Sequence, residues 1–145
     1  MSIDVKEDWI TFSEQEVVDC CVNCREHPSP KYVYYHLKNY GISLNNKYPY
    51  VSSIYNPGPL TCKTSNSNKP FHLEDYYELS GCKALAERLE FGPVVVAVDS
   101  RGWRNYEGGI FADCSATVKR NHYALVVGRG IGYWKVRNSW GPRWG

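Results

Sequence analysis

His122 and Asn138 stand sixteen residues apart (138 − 122) in NHYALVVGRGIGYWKVRNSWG, the stretch from Asn121 to Gly141. Each sits at one end of an apolar run, and Gly128-Arg129-Gly130-Ile131-Gly132 separates the two runs. Folded as a hairpin, the runs bring imidazole and carboxamide face to face. An amide oxygen that accepts one ring N–H fixes the tautomer and the ring's rotation, leaving the other nitrogen free for a proton. That is the base-and-orienter part of a nucleophilic triad. Trp140 can cover the hydrogen bond and exclude water.

These residues need elements to hold them. Ser13 with Glu16 three residues on has capping-box spacing, so a helix is expected from there, with Val17 and Val18 opening its buried side. Residues 21–30, with two prolines, break the pattern. A second helix is expected over Lys31 to Tyr40, stopped by Gly41, and loop over Asn45 to Lys69. Phe71 to Leu79 is read as strand and Gly81 to Glu90 as amphipathic helix, ended by Gly92-Pro93. Val94 to Val98 is a β-branched strand, Gly108-Gly109 turns into another at Ile110-Phe111, and the hairpin of His122 to Val127 and Tyr133 to Val136 follows. Helices lead and antiparallel strands follow, which predicts an α+β fold with two lobes.

The composition narrows the function. The 145 residues fit one ordinary domain, and a 43% apolar share suffices for a core. A net charge of +2, with the charges scattered, gives no basis for nucleic-acid or membrane binding. The apolar runs are far too short to span a bilayer. The start, MSIDVKEDWITF, lacks a signal peptide's apolar h-region, which favours the cytoplasm. Six cysteines, at 20, 21, 24, 62, 82 and 114, favour instead an oxidising compartment. Cys21-x-x-Cys24 has zinc-ligand spacing, but no second Cys/His pair completes a site, so no metal is expected. Gly128-Arg129-Gly130 mimics a phosphate loop without a following helix and is read as a turn, so no cofactor is expected. His27, His36 and His72 are expected at the surface, and the Tyr-rich helix over 32–40 as packing surface.

FSEQEVVDC, YPY at 48–50, GPVVVAVD at 92–99, YEGGIF at 106–111, NHYALVVG and VRNSWGPRWG occur in this order, with suitable gaps. Together they resemble the papain family of cysteine peptidases, from about Thr11 to Gly145. The resemblance implies the papain-like fold, incomplete at both ends: a partial helical lobe over about 11–66 and an antiparallel, barrel-like lobe over about 67–145. It makes His122 the catalytic base, Asn138 its orienter and Trp140 their shield. Ala97, Arg120 and Asn121 fall at or beside the wall of the substrate pocket. Cys20 and Cys62 match one disulfide pair. Cys24 and Cys114 match half-cystines whose partners lie outside these residues, so both are expected to be orphaned. Cys21 and Cys82 receive no role. Family ancestry favours a lysosomal or secreted setting.

The nucleophile is what this sequence lacks. In the family it lies in a Cys-Gly-Ser-Cys-Trp type motif about 130 residues or more before the histidine. Counting back from His122 passes Met1, and no such string occurs. The oxyanion-hole glutamine is absent too. Where the family has Cys-Asn-Gly-Gly for backbone pairing with substrate, this sequence has Cys24-Arg25-Glu26-His27-Pro28-Ser29-Pro30. Proline donates no N–H, and bulky residues block a close approach. An imidazole without its thiol forms no acyl-enzyme. The family's central helix is likewise not encoded, so Val17, Val18, Val33 and Leu37 are expected to lack a packing partner. Each uncovered side chain forfeits about 1.5–3 kcal/mol of burial.

The expectation is therefore a non-catalytic structural or binding subunit of a larger assembly, whose partner polypeptide covers the face left open. Two alternatives stand beside it. One is a fragment of an active cysteine endopeptidase whose nucleophile lies upstream. The other is a decoy holding a peptide or inhibitor in the remaining cleft.

Overall fold

The computed structural model describes residues 2–5, 8–53, 58–63, 69–113 and 117–145. The chain divides into two compact units, Met1–Tyr77 and Glu78–Gly145. In order, the elements are β1 (Ser2–Val5), β2 (Asp8–Thr11), α1 (Glu14–Cys20), α2 (Val22–Glu26), α3 (Pro30–Tyr40), α4 (Cys82–Arg88), β3 (Val94–Val98), β4 (His122–Gly130) and β5 (Tyr133–Arg137). The α+β class is as expected, but the chain does not open on helices: the β1–β2 hairpin precedes α1. The β1–β2 hairpin and the single-turn α2 have no counterpart in the sequence reading.

The first unit is built around α1 and α3. Ser13 caps α1, its Oγ accepting the Glu16 N–H at 2.9 Å. Only half of a capping box forms, because the Glu16 carboxylate turns to other partners: Ser43 N–H, at 2.8 Å, and the Lys69 ammonium. The buried side of α1 is not Val17 and Val18, which are half-buried, but Gln15, Glu16 and Asp19. Gln15 Oε1 accepts the Val51 and Ser52 N–H groups, and Asp19 accepts the Leu60 N–H and the Tyr48 hydroxyl. These side chains satisfy backbone donors of a long loop that has no ladder of its own among its described residues, which is why polar groups occupy the inner face.

The apolar cluster is Phe12, Leu37 and Ile42, with Val17, Val33, Phe71 and Leu73 against it. Leu37 is thus buried within the unit, contrary to the expectation that it lacks a partner, while Val17 and Val33 remain half-buried. His36 is also buried, not exposed: α3 turns it inward beside Leu37. Gly41 ends α3 at φ 68°.

Residues 71–79 do not form a strand. Phe71 makes one bridge with Ile42, and Leu73 N–H reaches Leu37 C=O at the end of α3, so no neighbouring strand completes a ladder. These contacts, with the Lys38–Asp75 ion pair and the Tyr34–Tyr76 ring contact, place residues up to Tyr77 in the first unit.

The second unit holds a three-stranded antiparallel sheet in the order β3-β4-β5. β4 runs to Gly130, so the connection to β5 is Ile131-Gly132 rather than five residues, with Gly132 at φ 82°. Ala124 and Val126 are its buried apolar residues among those described. The strand expected at Ile110-Phe111 is absent. Instead the chain folds back on its own side chains: the Tyr106 hydroxyl donates to Gly109 C=O at 2.6 Å, and the Phe111 ring packs on Tyr106.

Candidate active site

His122 opens β4 and Asn138 follows the last residue of β5. They are not directly opposed. The register pairs Leu125 with Arg137, so Asn138 reaches the imidazole diagonally, two residues along the same face of β4. His122 Nε2 lies 2.9 Å from Asn138 Oδ1. The same oxygen accepts the Ser139 N–H at 2.8 Å, which sets the amide with oxygen, not nitrogen, toward the ring. His122 therefore donates from Nε2 and keeps Nδ1 as the unprotonated base. Asn138 Nδ2 is buried and has no hydrogen-bond partner among the described residues.

Aromatic rings surround the pair. Trp140 lies 5.2 Å, centroid to centroid, from the imidazole, tilted at 42°. Trp103 meets the imidazole edge-on at 6.3 Å and also packs on Trp140 and Trp144. The Trp144 indole N–H donates to Trp103 C=O at 3.0 Å. Trp103 sits in a single 3₁₀ turn, Trp103–Asn105, and no motif in the sequence marked it.

Of the three pocket positions, Ala97 is exposed on β3 and pairs in register with Tyr123. Tyr123 shares that face, and its place directly after the histidine is the signal for it in the sequence, because neighbouring strand residues alternate sides. Arg120 is exposed and enters no ion pair among the described residues. Asn121 is tied locally: its Oδ1 accepts the Ser100 N–H at 2.9 Å and the Ser100 hydroxyl at 3.2 Å, and its own N–H donates to Val98 C=O. Beside it, Asp99 accepts Arg101 Nε at 2.8 Å and the Lys119 N–H at 3.0 Å. The Arg101 guanidinium and the Lys119 N–H hold the Asp99 carboxyl well below the usual carboxylate range.

The cysteines complete the inventory. Cys20 and Cys62 are joined, with a sequence separation of 42. Cys24 is not orphaned, and Cys21 has a role: the two form a second disulfide. Cys21 caps the ends of both α1 and α2, and one turn of α2 brings Cys24 back, with a Cα–Cα distance of 5.3 Å, inside bonding range. Cys82 is the free cysteine among the described residues, exposed in α4 and not hydrogen-bonded to His122. Cys114 lies outside the described residues. No cluster of three metal-ligating side chains occurs among the described residues.

The geometry resembles that of known proteins. The sequence model of the family described as papain family cysteine protease matches residues 1–145. Cathepsin L 1 of Paramecium tetraurelia is 32% identical over 143 residues, covering 92% of this chain and 42% of the relative. Zingipain-1 of Zingiber officinale is 32% identical over 152 residues, covering 97% of this chain and 66% of its own length. Among solved structures, the Carica candamarcensis cysteine protease CMS1MS2 in complex with E-64 superposes with a TM-score of 0.79 at 30% identity. That match covers 97% of this chain and 67% of the other. Bromelain from Ananas comosus, also solved with E64, gives 0.75 at 26% identity, covering 97% and 67%. The chain thus spans less than half the length of the Paramecium relative.

Proposed function

This chain belongs to the papain family of cysteine proteases, and from that membership we propose that the 145 residues act as a non-catalytic structural or binding subunit. One observation carries the reading. The His122–Asn138 pair has the hydrogen bond of a base and its orienter, yet the free thiol among the described residues, Cys82, makes no hydrogen bond to it. Four of the six cysteines are in disulfides, and the free thiol of Cys82 is on α4. A base without a nucleophile gives up the covalent route that divides amide hydrolysis into two easier steps.

The partner in this reading is a second polypeptide. In the first unit Val22, Tyr35 and Tyr40 are exposed, and Val17 and Val33 are half-covered. In the second, Phe91, Ile110 and Val118 are exposed around a sheet with few buried residues. Exposed aromatic side chains such as Tyr35, Tyr40 and Phe91 are of the kind enriched at protein contacts.

Assay of the chain alone against a general fluorogenic peptide tests the proposal, with an active-site-directed epoxide as control. No turnover is expected. Turnover abolished by the epoxide would end the reading.

A second reading rests on the same pair. An intact base–orienter hydrogen bond and a match to only part of each relative also fit a portion of a working peptidase, its nucleophile on a segment outside these residues. Intact mass measurement of the native protein and its co-purifying chains separates the two. A longer chain carrying a Cys-Gly-Ser-Cys-Trp type motif and reacting with the epoxide supports the second reading over the first.

A further inference from the structure

Residues 72–80 lie in no helix or strand, and within them Glu74-Asp75-Tyr76-Tyr77-Glu78 sets two tyrosines among three carboxylates. The two tyrosines are held differently. The Tyr76 ring is half-buried, its centroid 5.5 Å from that of Tyr34 on α3, and the Tyr76 N–H donates to Asp75 Oδ1 at 2.9 Å. Asp75 is in turn tied to Lys38 at 3.0 Å. Tyr77 is 67% exposed, and Glu78, Leu79 and Ser80 after it are exposed as well. Glu74 and Glu78 stand exposed on either side and enter no ion pair among the described residues.

An enzyme that modifies a tyrosine must draw the phenolic oxygen into its own cleft, with several flanking residues extended. Regular structure and burial prevent that at Tyr76 and at the tyrosines of α3, but not at Tyr77. Carboxylates on both sides complement a cleft of positive charge, which a transferase of an anionic group needs to hold its anionic donor. The disulfides indicate which group. Four of the six cysteines are joined, as in chains that fold in an oxidising compartment. Sulfuryl transfer to tyrosine takes place there, beyond the reach of cytosolic tyrosine kinases.

We propose that Tyr77 is a tyrosine O-sulfation site whose donor is a mixed anhydride of sulfate and a nucleotide phosphate. The phenolic oxygen attacks the donor's sulfur, forms the O–S bond of a sulfate ester and gives its proton to a base of the transferase. The bond from sulfur to the bridging oxygen breaks, and its electron pair leaves on the nucleotide's phosphate. No oxidant or reductant enters. The product carries one more negative charge beside Glu78, and it does not depend on whether a nucleophile serves His122.

The test incubates the full, disulfide-bonded chain with a tyrosylprotein sulfotransferase and ³⁵S-labelled phosphoadenylyl sulfate, and locates the label by peptide mass spectrometry. Label should accumulate on Tyr77 and not on Tyr76, and Tyr77→Phe should abolish it with the far-ultraviolet circular dichroism unchanged. Glu74→Gln and Glu78→Gln should each lower kcat/KM for the transfer by about 1.5–5-fold, the worth of one exposed charge pair. No label on the native chain, or label on Tyr76 as readily as on Tyr77, overturns the proposal. So does undiminished labelling of both glutamate variants. Secreted from a eukaryotic cell behind an added signal peptide, the chain should carry a phosphatase-resistant sulfate on Tyr77; a phosphate there, or an unmodified Tyr77, also overturns it.

Discussion

His122 Nε2 and Asn138 Oδ1 are 2.9 Å apart across the diagonal of the β4–β5 hairpin, and Oδ1 also accepts the Ser139 N–H. The two bonds hold the amide and, through it, the imidazole. Asn138→Ala removes the acceptor from both. The ring-nitrogen ¹⁵N shifts of His122 should move from a single Nε2–H tautomer to an average of two. Stability should fall by about 1 kcal/mol in urea unfolding. Unchanged ¹⁵N shifts would mean that something else orients the ring.

Asp19 anchors the loop that follows α3. It accepts from Leu60 N–H and Tyr48 OH, both at 2.8 Å, and from Gln15 Nε2 at 3.0 Å. Burial raises its carboxyl, but the Leu60, Tyr48 and Gln15 hydrogen bonds and the Lys63 charge outweigh it, and the net shift is downward. Asp19→Ala strands these donors in the interior, at about 1–3 kcal/mol for each left unsatisfied. Urea unfolding should show a loss of about 3 kcal/mol or more, well beyond that of a surface Asp→Ala change.

His36 gives the first unit an acid sensitivity. Burial holds its imidazole below the ordinary value; the Glu16 charge pulls it up and the Lys69 charge down. Above about pH 6.5 both folded and unfolded states carry it neutral. As pH falls past that point the unfolded chain takes the proton first, so it binds more protons than the folded one and stability declines. His36→Leu should flatten the stability curve between about pH 6.5 and the lower folded pKa, read as denaturant midpoints across pH. Asp19, also held low, accounts for a separate loss as pH falls below the ordinary aspartate value of about 3.9. An unaltered slope in the His36→Leu protein would contradict this account.

Gly41 ends α3 with φ 68° and ψ −168°, a region essentially reserved for glycine. A Cβ there would stand 2.7 Å from Phe71 C=O and 2.7 Å from the His72 ring. The ring could swing away, but the backbone oxygen is fixed by the Ile42 N–H that donates to it. Gly41→Ala should cost about 1–3 kcal/mol from the backbone alone, measured as a lower thermal midpoint, whereas Gly92→Ala, with nothing within 4 Å of its Cβ, carries only the backbone part.

What the sequence determined by itself was local or carried by strong motifs. Ser13 and Gly41 bound helices because a cap and a glycine-only conformation are properties of single positions. Val94 to Val98 forms a strand because β-branched side chains suit a pleated surface. NHYALVVG and NSWGPRWG mark family membership without any coordinates. Tertiary structure decided the rest. The inner face of α1 is polar because a loop distant in sequence brings N–H groups that need acceptors, so helical periodicity alone pointed to the wrong residues. Phe71 to Leu79 alternates like a strand but has no strand beside it among the described residues, and a ladder requires two. Trp103 reaches His122 and Cys24 meets Cys21 only once the intervening chain has turned. Alternation, caps and motifs are written along the chain, but hydrogen-bond partners across long separations arise only in three dimensions.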